Sequence, residues 1–177
     1  DARRALGRKD KRFSFEVFDC AKIPHKGCNF DLVIANHVLF YCEDIPAVCN
    51  EIQRVLVPGG KLICSTYGSH HMQEVSQLVQ DFDNRIVLSA DRLYERFGRE
   101  NGADILAPYF SDIFWESYND SLLVPDAEPL ISYILSCHGN QNQYLLDKYK
   151  DFRGFVSRKT KDGFFITKDA GIFLCEK

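Results

Sequence analysis

The fold is decided by residues 30–66, which read FDLVIANHVLFYCEDIPAVCNEIQRVLVPGGKLICST. Residues 30–35 and 61–66 are short, nearly all-apolar runs, as expected of strands buried on both faces of a parallel sheet. Between them, apolar residues recur at three- and four-residue spacing over residues 45–56, which predicts a helix that Asp44 can cap. Strand, helix and strand in succession predict a right-handed βαβ unit.

Further elements are predicted on both sides of this unit. Residues 13–18 alternate like a strand that stops at Asp19, and Pro58-Gly59-Gly60 predicts a turn that separates helix from strand. Ser69 is placed to cap a second helix that ends near Phe82. Downstream we predict a short helix at 102–109, a strand at 111–118 that resumes at 121–124, helices at 126–137 and 141–159, and strand-like runs at 164–167 and 172–175, as a hairpin or one bulged strand.

Composition places the chain among ordinary globular domains. It has 177 residues, 45% of them hydrophobic, which is enough for one domain of the α/β class with a buried core. We divide it into a core at 13–66, an insertion on the substrate side at 67–110 and a C-terminal part at 111–177. The net charge of −3 and the mixed signs argue against a nucleic-acid partner.

The seven Cys residues, none in a CxxC pair, favour reduced thiols in a cytoplasmic protein over disulfides or a zinc site. No apolar run of this sequence is long enough to span a membrane, and we expect no signal peptide. We therefore expect neither a metal nor a membrane partner.

A family resemblance rests on three motifs in order. They are Phe18-Asp19-Cys20-Ala21-Lys22-Ile23-Pro24, the strand Phe30-Asp31-Leu32-Val33, and a helix that runs through Glu51 and Arg54-Val55-Leu56 into Pro58-Gly59-Gly60. Across residues 13–66 the chain resembles class I S-adenosylmethionine-dependent methyltransferases that act on small molecules. The resemblance implies a Rossmann-like, mostly parallel sheet with helices on both faces and an antiparallel C-terminal strand. The usual strand order of that family is 3-2-1-4-5-7-6.

The resemblance implies S-adenosylmethionine as the cofactor and assigns residues to it. Asp19 and Asn36 each follow a predicted strand, at the edge where open α/β sheets bind ligands. Asp19 would accept a hydrogen bond from the adenine amine, with Cys20 and Ala21 beside the ring. Asn36, His37 and Val38 would lie along the methionine part of the cofactor.

Each assignment has a structural alternative. An Asp after a strand often only forms a turn, and Asn36 could likewise satisfy its own turn. His37 could be a neutral histidine near the core. Tyr41 and Tyr67 could face a substrate, although most aromatic residues are core. His70 and His71 are adjacent, so they point in different directions on a helix and make a poor metal pair. The sequence names no catalytic residue, because methyl transfer depends chiefly on aligning the acceptor with a reactive donor.

The glycine-rich turn of this family is not found among the 11 Gly residues, and neither is the acidic residue that holds the ribose. Residues 1–7 resemble the end of a helix, so we expect a chain that lacks its beginning and its first sheet strands. A second copy or an N-terminal segment would then complete the sheet. We expect this chain alone to bind the cofactor weakly and to be inactive by itself. Two alternatives stay open: a non-catalytic, methyltransferase-like binding protein, and a nucleotide-dependent oxidoreductase.

Overall fold

A computed structural model describes residues 12–89 and 92–177. In chain order the elements are β1 (Phe30–Asn36), a 3-10 turn (Leu39–Tyr41), α1 (Ile45–Val55), β2 (Leu56–Tyr67), α2 (Gln73–Phe82), α3 (Leu93–Arg96), α4 (Gly102–Leu106), β3 (Ser111–Val124), α5 (Ala127–Ser136), α6 (Gln141–Leu145), α7 (Tyr149–Thr160) and β4 (Phe164–Glu176). No helix in these ranges is both long and apolar enough to cross a bilayer.

The four strands form one sheet in the order β1-β2-β4-β3. β1 and β2 pair in parallel, and β4 runs antiparallel to both of its neighbours. Three strands therefore point one way and the C-terminal strand points the other way. The prediction of a mostly parallel α/β sheet with an antiparallel C-terminal strand is confirmed, and the order matches the 4-5-7-6 part of the family pattern.

Helices cover both faces of the sheet, each over its own apolar core. Phe173 and Ile166 lie on β4 with an odd separation in an unbroken register, so their side chains point to opposite faces. Phe173 packs in a core with residues of α1 and α4, including Ile52 and Leu106. Ile166 packs in a second core with residues of α2, α5 and α7.

The predicted βαβ unit is confirmed. Asp44 caps α1 by accepting a hydrogen bond from the Ala47 N–H at 2.9 Å, and Pro46 occupies the first turn, where it displaces no helical hydrogen bond. Val48 and Ile52 are 3% exposed, so the predicted apolar face of the helix packs on the sheet.

The strand predicted at residues 13–18 is wrong, because the structure has irregular backbone there. A strand needs a neighbour for its N–H and C=O groups, and the described sheet has no strand beside this segment. Val17 is consequently 97% exposed. The helix end predicted at residues 1–7 lies outside the described residues.

The turn predicted at Pro58-Gly59-Gly60 is instead a bulge inside β2. The strand begins at Leu56, and its register with β1 shifts between Phe30 and Leu32 to accommodate the extra residues. Gly59 adopts a left-handed φ of 74°, and its N–H donates to the Lys177 carbonyl at 3.3 Å.

Three further boundaries differ from the sequence patterns. Ser69 does not cap α2. The helix begins after Met72, which adopts a left-handed conformation and makes no side-chain cap. β3 has no break at 119–120, since both residues pair with β4, and residues 164–176 form a single strand without a hairpin. The helix predicted at 141–159 is divided into α6 and α7.

Candidate cofactor and acceptor site

The loop between Asp19 and β1 is fastened to α1 by two charged side chains of the family motif. The Ile23 N–H donates to Glu51 Oε2 at 2.8 Å. The Arg54 guanidinium donates to the carbonyls of Ile23 at 2.9 Å and His25 at 2.8 Å, and it also bonds Glu51. The hydrogen bond from Arg54 holds the pKa of Glu51 below its ordinary value. The Glu and Arg of the motif thus hold the loop that carries Asp19.

Asp19 forms a turn and keeps one carboxylate oxygen exposed. Its Oδ1 accepts a hydrogen bond from the Ala21 N–H at 2.9 Å. Asp19 therefore forms a turn, and the Ala21 N–H is already used in it. Among the described residues no donor reaches Oδ2. Cys20 Sγ lies 3.5 Å from Cys42 Sγ, and the Cys42 thiol donates to the Val38 carbonyl at 3.6 Å. These contacts bring the Asp19 turn beside the segment that follows β1.

Asn36 ends β1, and His37 leaves the strand with a left-handed φ of 50°. The His37 N–H donates to Ser65 Oγ on β2 at 3.0 Å, while the same hydroxyl lies 3.5 Å from Asn36 Oδ1. His37 is exposed, which does not favour the alternative of a histidine near the core. Its ring stacks on Tyr67 with the centroids 6.4 Å apart. The turn therefore presents His37 toward the end of β2.

A cavity of about 740 Å³ opens beside this turn, between the end of β2, α2 and residues 86–89 and 92–94. Tyr67 is its central aromatic residue, with ring centroids of Phe40 at 5.5 Å, His71 at 5.2 Å and Tyr94 at 6.3 Å. Tyr41 also lines the cavity and is 67% exposed. The size and mixed apolar and polar lining suit a small organic ligand.

Burial disfavours the charged forms of two phenols and one imidazole that line the cavity. Burial raises the pKa of Tyr67 and of Tyr133, so both phenols keep their protons and can donate. Burial, with the nearby charge of Lys168, lowers the pKa of His71. Its Nδ1 is buried and has no hydrogen-bond partner among the described residues. The cavity thus offers both hydrogen-bond donors and a neutral imidazole.

Sequence reasoning missed His71 and Tyr133 as cavity residues. In the sequence, His71 is notable only as the neighbour of His70 in a possible metal site. Tyr133 lies on α5, far along the chain, and reaches the cavity because α5 and α2 share one core. No local sequence pattern reports such a long-range packing contact.

Comparison with known proteins finds similarity to methyltransferases in both sequence and fold. Residues 1–64 match the family model described as a methyltransferase domain. The chain superposes on the Haemonchus contortus phosphoethanolamine N-methyltransferase 2, solved in complex with S-adenosyl-L-methionine, with a TM-score of 0.52. That match has 19% sequence identity and covers 98% of this chain and 39% of the other.

The resemblance to the class I methyltransferases is confirmed over residues 1–64, and the superposition shows that the fold is shared. The matching part is 31% identical over 71 residues to a malonyl-[acyl-carrier protein] O-methyltransferase of a Methylovorus species, covering 40% of this chain and 24% of the relative. It is 47% identical over 45 residues to the sterol 4-C-methyltransferase of Caenorhabditis elegans, covering 25% of this chain and 14% of the relative. The shared methyltransferase region is thus a small part of each relative.

Proposed function

We propose that this chain transfers the methyl group of S-adenosylmethionine to a small-molecule acceptor held in the cavity beside Tyr67. The observation that carries the proposal is the contact between the two predicted cofactor segments and this cavity. Cys20 and Cys42 join the Asp19 turn to the segment after β1, and His37 of that segment stacks on Tyr67. The relatives named above act on small or carrier-bound molecules by their names, which agrees with a small acceptor.

The residues present suit the adenosyl end of the cofactor. The exposed Asp19 Oδ2 can accept a hydrogen bond from an exocyclic amine. Ile23 is partly buried against the core and fixed by Glu51, so it offers a rigid apolar surface to a ring. Asn36, His37 and Val38 follow β1 at its carboxyl end, where ligands bind in open α/β sheets.

When bound, S-adenosylmethionine supplies an activated methyl group on a sulfonium. The chain's own residues then have to orient the acceptor and exclude water. The Tyr67 hydroxyl, kept protonated by burial, can donate to an acceptor oxygen. The neutral His71 next to it can accept a proton or a hydrogen bond.

Tritium transfer from labelled cofactor to a panel of small carboxylates, amines and sterols tests the proposal. The expected inactivity of the chain alone follows from weak cofactor binding in a sequence without the glycine-rich turn, so the cofactor is supplied at millimolar concentration to offset that weak binding. We expect one acceptor class to be labelled by the wild type and by Tyr118→Ala, which alters an exposed tyrosine on β3, but not by Tyr67→Ala. Equal labelling by Tyr67→Ala contradicts the cavity assignment. Cofactor binding without transfer to any acceptor favours a non-catalytic binding protein.

A further inference from the structure

Three side chains of metal-ligating type meet behind the wall of the cavity. They are His70, just after β2, Glu100, in the loop before α4, and Asp169, on β4. One ligand atom from each lies within 4.8 Å of the other two, and His70 Nδ1 is 3.9 Å from Asp169 Oδ2. Ligand atoms that each lie about 2.1 Å from one ion are about 3 to 4 Å apart. The His70 side chain is 68% exposed, and its Nδ1 lies 3.3 Å from Ser69 Oγ, the same hydroxyl that bonds Glu100.

An independent observation comes from the buried carboxylate of Asp169. Its side chain is only 9% exposed. Oδ1 accepts a hydrogen bond from Arg99 at 2.8 Å, whereas Oδ2 is buried with no hydrogen-bond partner in the part of the chain that the structure describes. A buried carboxylate oxygen without a donor or cation is costly. Oδ2 is also the oxygen that lies near His70, so the unsatisfied atom is aimed into the cluster.

Gly68 keeps the space around these oxygens open. A Cβ added at this position would lie 2.3 Å from Asp169 Oδ2 and 2.9 Å from Glu100 Oε1. The two carboxylates therefore approach the same small volume, and they can do so only because residue 68 has no side chain.

The charge of the cluster is incompletely balanced. Ser69 donates through its N–H and its hydroxyl to Glu100 Oε1, each at 2.9 Å, which fixes that carboxylate without neutralising it. Arg99 supplies one positive charge against two carboxylates. One imidazole and two carboxylates form a ligand set that first-row divalent metals accept, with water in the open positions.

We propose that His70, Glu100 and Asp169 bind a divalent transition-metal ion of the Mn²⁺ type. The sequence predicts no metal, because it has no CxxC pair and His70 and His71 point in different directions, whereas the structure groups His70 with two distant carboxylates. Ser69 lines the cavity, so the ion fastens the segment after β2 to β4 and to the loop at Glu100, behind the acceptor side. The proposal stands apart from methyl transfer, since it needs neither cofactor nor turnover.

Mn²⁺ added to the whole chain tests the site, followed by electron paramagnetic resonance of the free ion. Mn²⁺ is used because thiols, of which the chain has seven, compete strongly for Zn²⁺. We expect one saturable site, weakened at least about tenfold by Asp169→Asn, Glu100→Gln and His70→Gln. His138→Gln, which alters another exposed histidine, is the matched control and should bind as the wild type does.

The position of the ion is read separately by paramagnetic broadening of backbone amides. We expect the Gly68 and Ser69 signals to broaden first, and this readout does not depend on any substitution. His70→Gln changes an exposed side chain, so loss of Mn²⁺ binding by this variant cannot be attributed to misfolding. Absence of saturable binding at millimolar Mn²⁺, binding that the three substitutions leave unchanged, or broadening centred elsewhere would each overturn the proposal.

Discussion

Thr66 joins the end of β2 to the segment that carries Tyr94, Arg99 and Glu100. Its side chain is fully buried, and Oγ1 donates to the Phe97 carbonyl at 2.7 Å. Thr66→Val keeps the shape and removes the donor, which leaves a buried carbonyl unsatisfied at a cost of about 2 kcal/mol. For a chain of this length, that corresponds to a fall of about 4 to 8 °C in the melting temperature.

The control is Thr160→Val, which removes another buried threonine hydroxyl. Thr160 Oγ1 donates at 3.1 Å to the Val156 carbonyl within α7, and that carbonyl is also within reach of a helical N–H. We therefore expect Thr160→Val to cost less than about 0.5 kcal/mol. Thermal unfolding followed by circular dichroism measures both. The reasoning is refuted if Thr66→Val melts within about 1 °C of the wild type, or no lower than Thr160→Val.

Three further predictions concern the loop, pH and the sheet edge. Glu51→Ala removes the acceptor of the Ile23 N–H, so hydrogen exchange of that amide should accelerate while β3 amides stay unchanged. Glu74 is partly buried, which would raise its pKa, but hydrogen bonds from the Thr167 N–H and hydroxyl outweigh this burial and lower the pKa. The contribution of ionised Glu74 to the free energy of unfolding should be complete above pH 4.5 and lost as the pH falls through the lowered pKa. Urea titrations should therefore show that Glu74→Gln destabilises the protein at pH 7 but not near pH 2. Ile34 is 57% exposed on β1, whose outer edge has no partner strand in the described sheet, so Ile34→Lys should reduce self-association in sedimentation experiments.

Local patterns predicted the elements that depend on local physics. The cap at Asp44 and the apolar spacing along α1 located that helix to within one residue, because capping and helical periodicity are properties of adjacent residues. The apolar runs located β1 and the part of β2 from Lys61 onward.

The predictions of strands and turns were wrong where the pairing of strands, and not a local sequence pattern, determines the backbone conformation. Residues 13–18 alternate like a strand, but alternation gives no strand without a neighbour to bond. Asn119 and Asp120 are turn formers by type, yet they stay extended because they pair with Asp169 and Lys168 of β4. Likewise Pro58-Gly59-Gly60 becomes a bulge because the residues on both sides of it pair with β1.

The candidate site, like the fold, could be predicted from the sequence only where local motifs determine it. Motif order predicted that Asn36 ends a strand, which it does, whereas Asp19 follows irregular backbone and not the predicted strand. The link between their segments through Cys20 and Cys42 is visible only in the structure. The cavity joins Tyr67 to Tyr133 through the packing of helices, and the cluster at Asp169 joins three segments distant in sequence. Neither arrangement has a local signature.

The central claim is that the Asp19 turn and the segment after β1 form two sides of one adenosyl site. Its most direct test is a titration of the isotope-labelled chain with S-adenosylhomocysteine to millimolar concentration, followed by amide NMR shifts. The account predicts that Cys20, Ala21, His37 and Val38 shift together with a single dissociation constant. Shifts confined to β3 and α7, or shifts of the two segments with different constants, would contradict it.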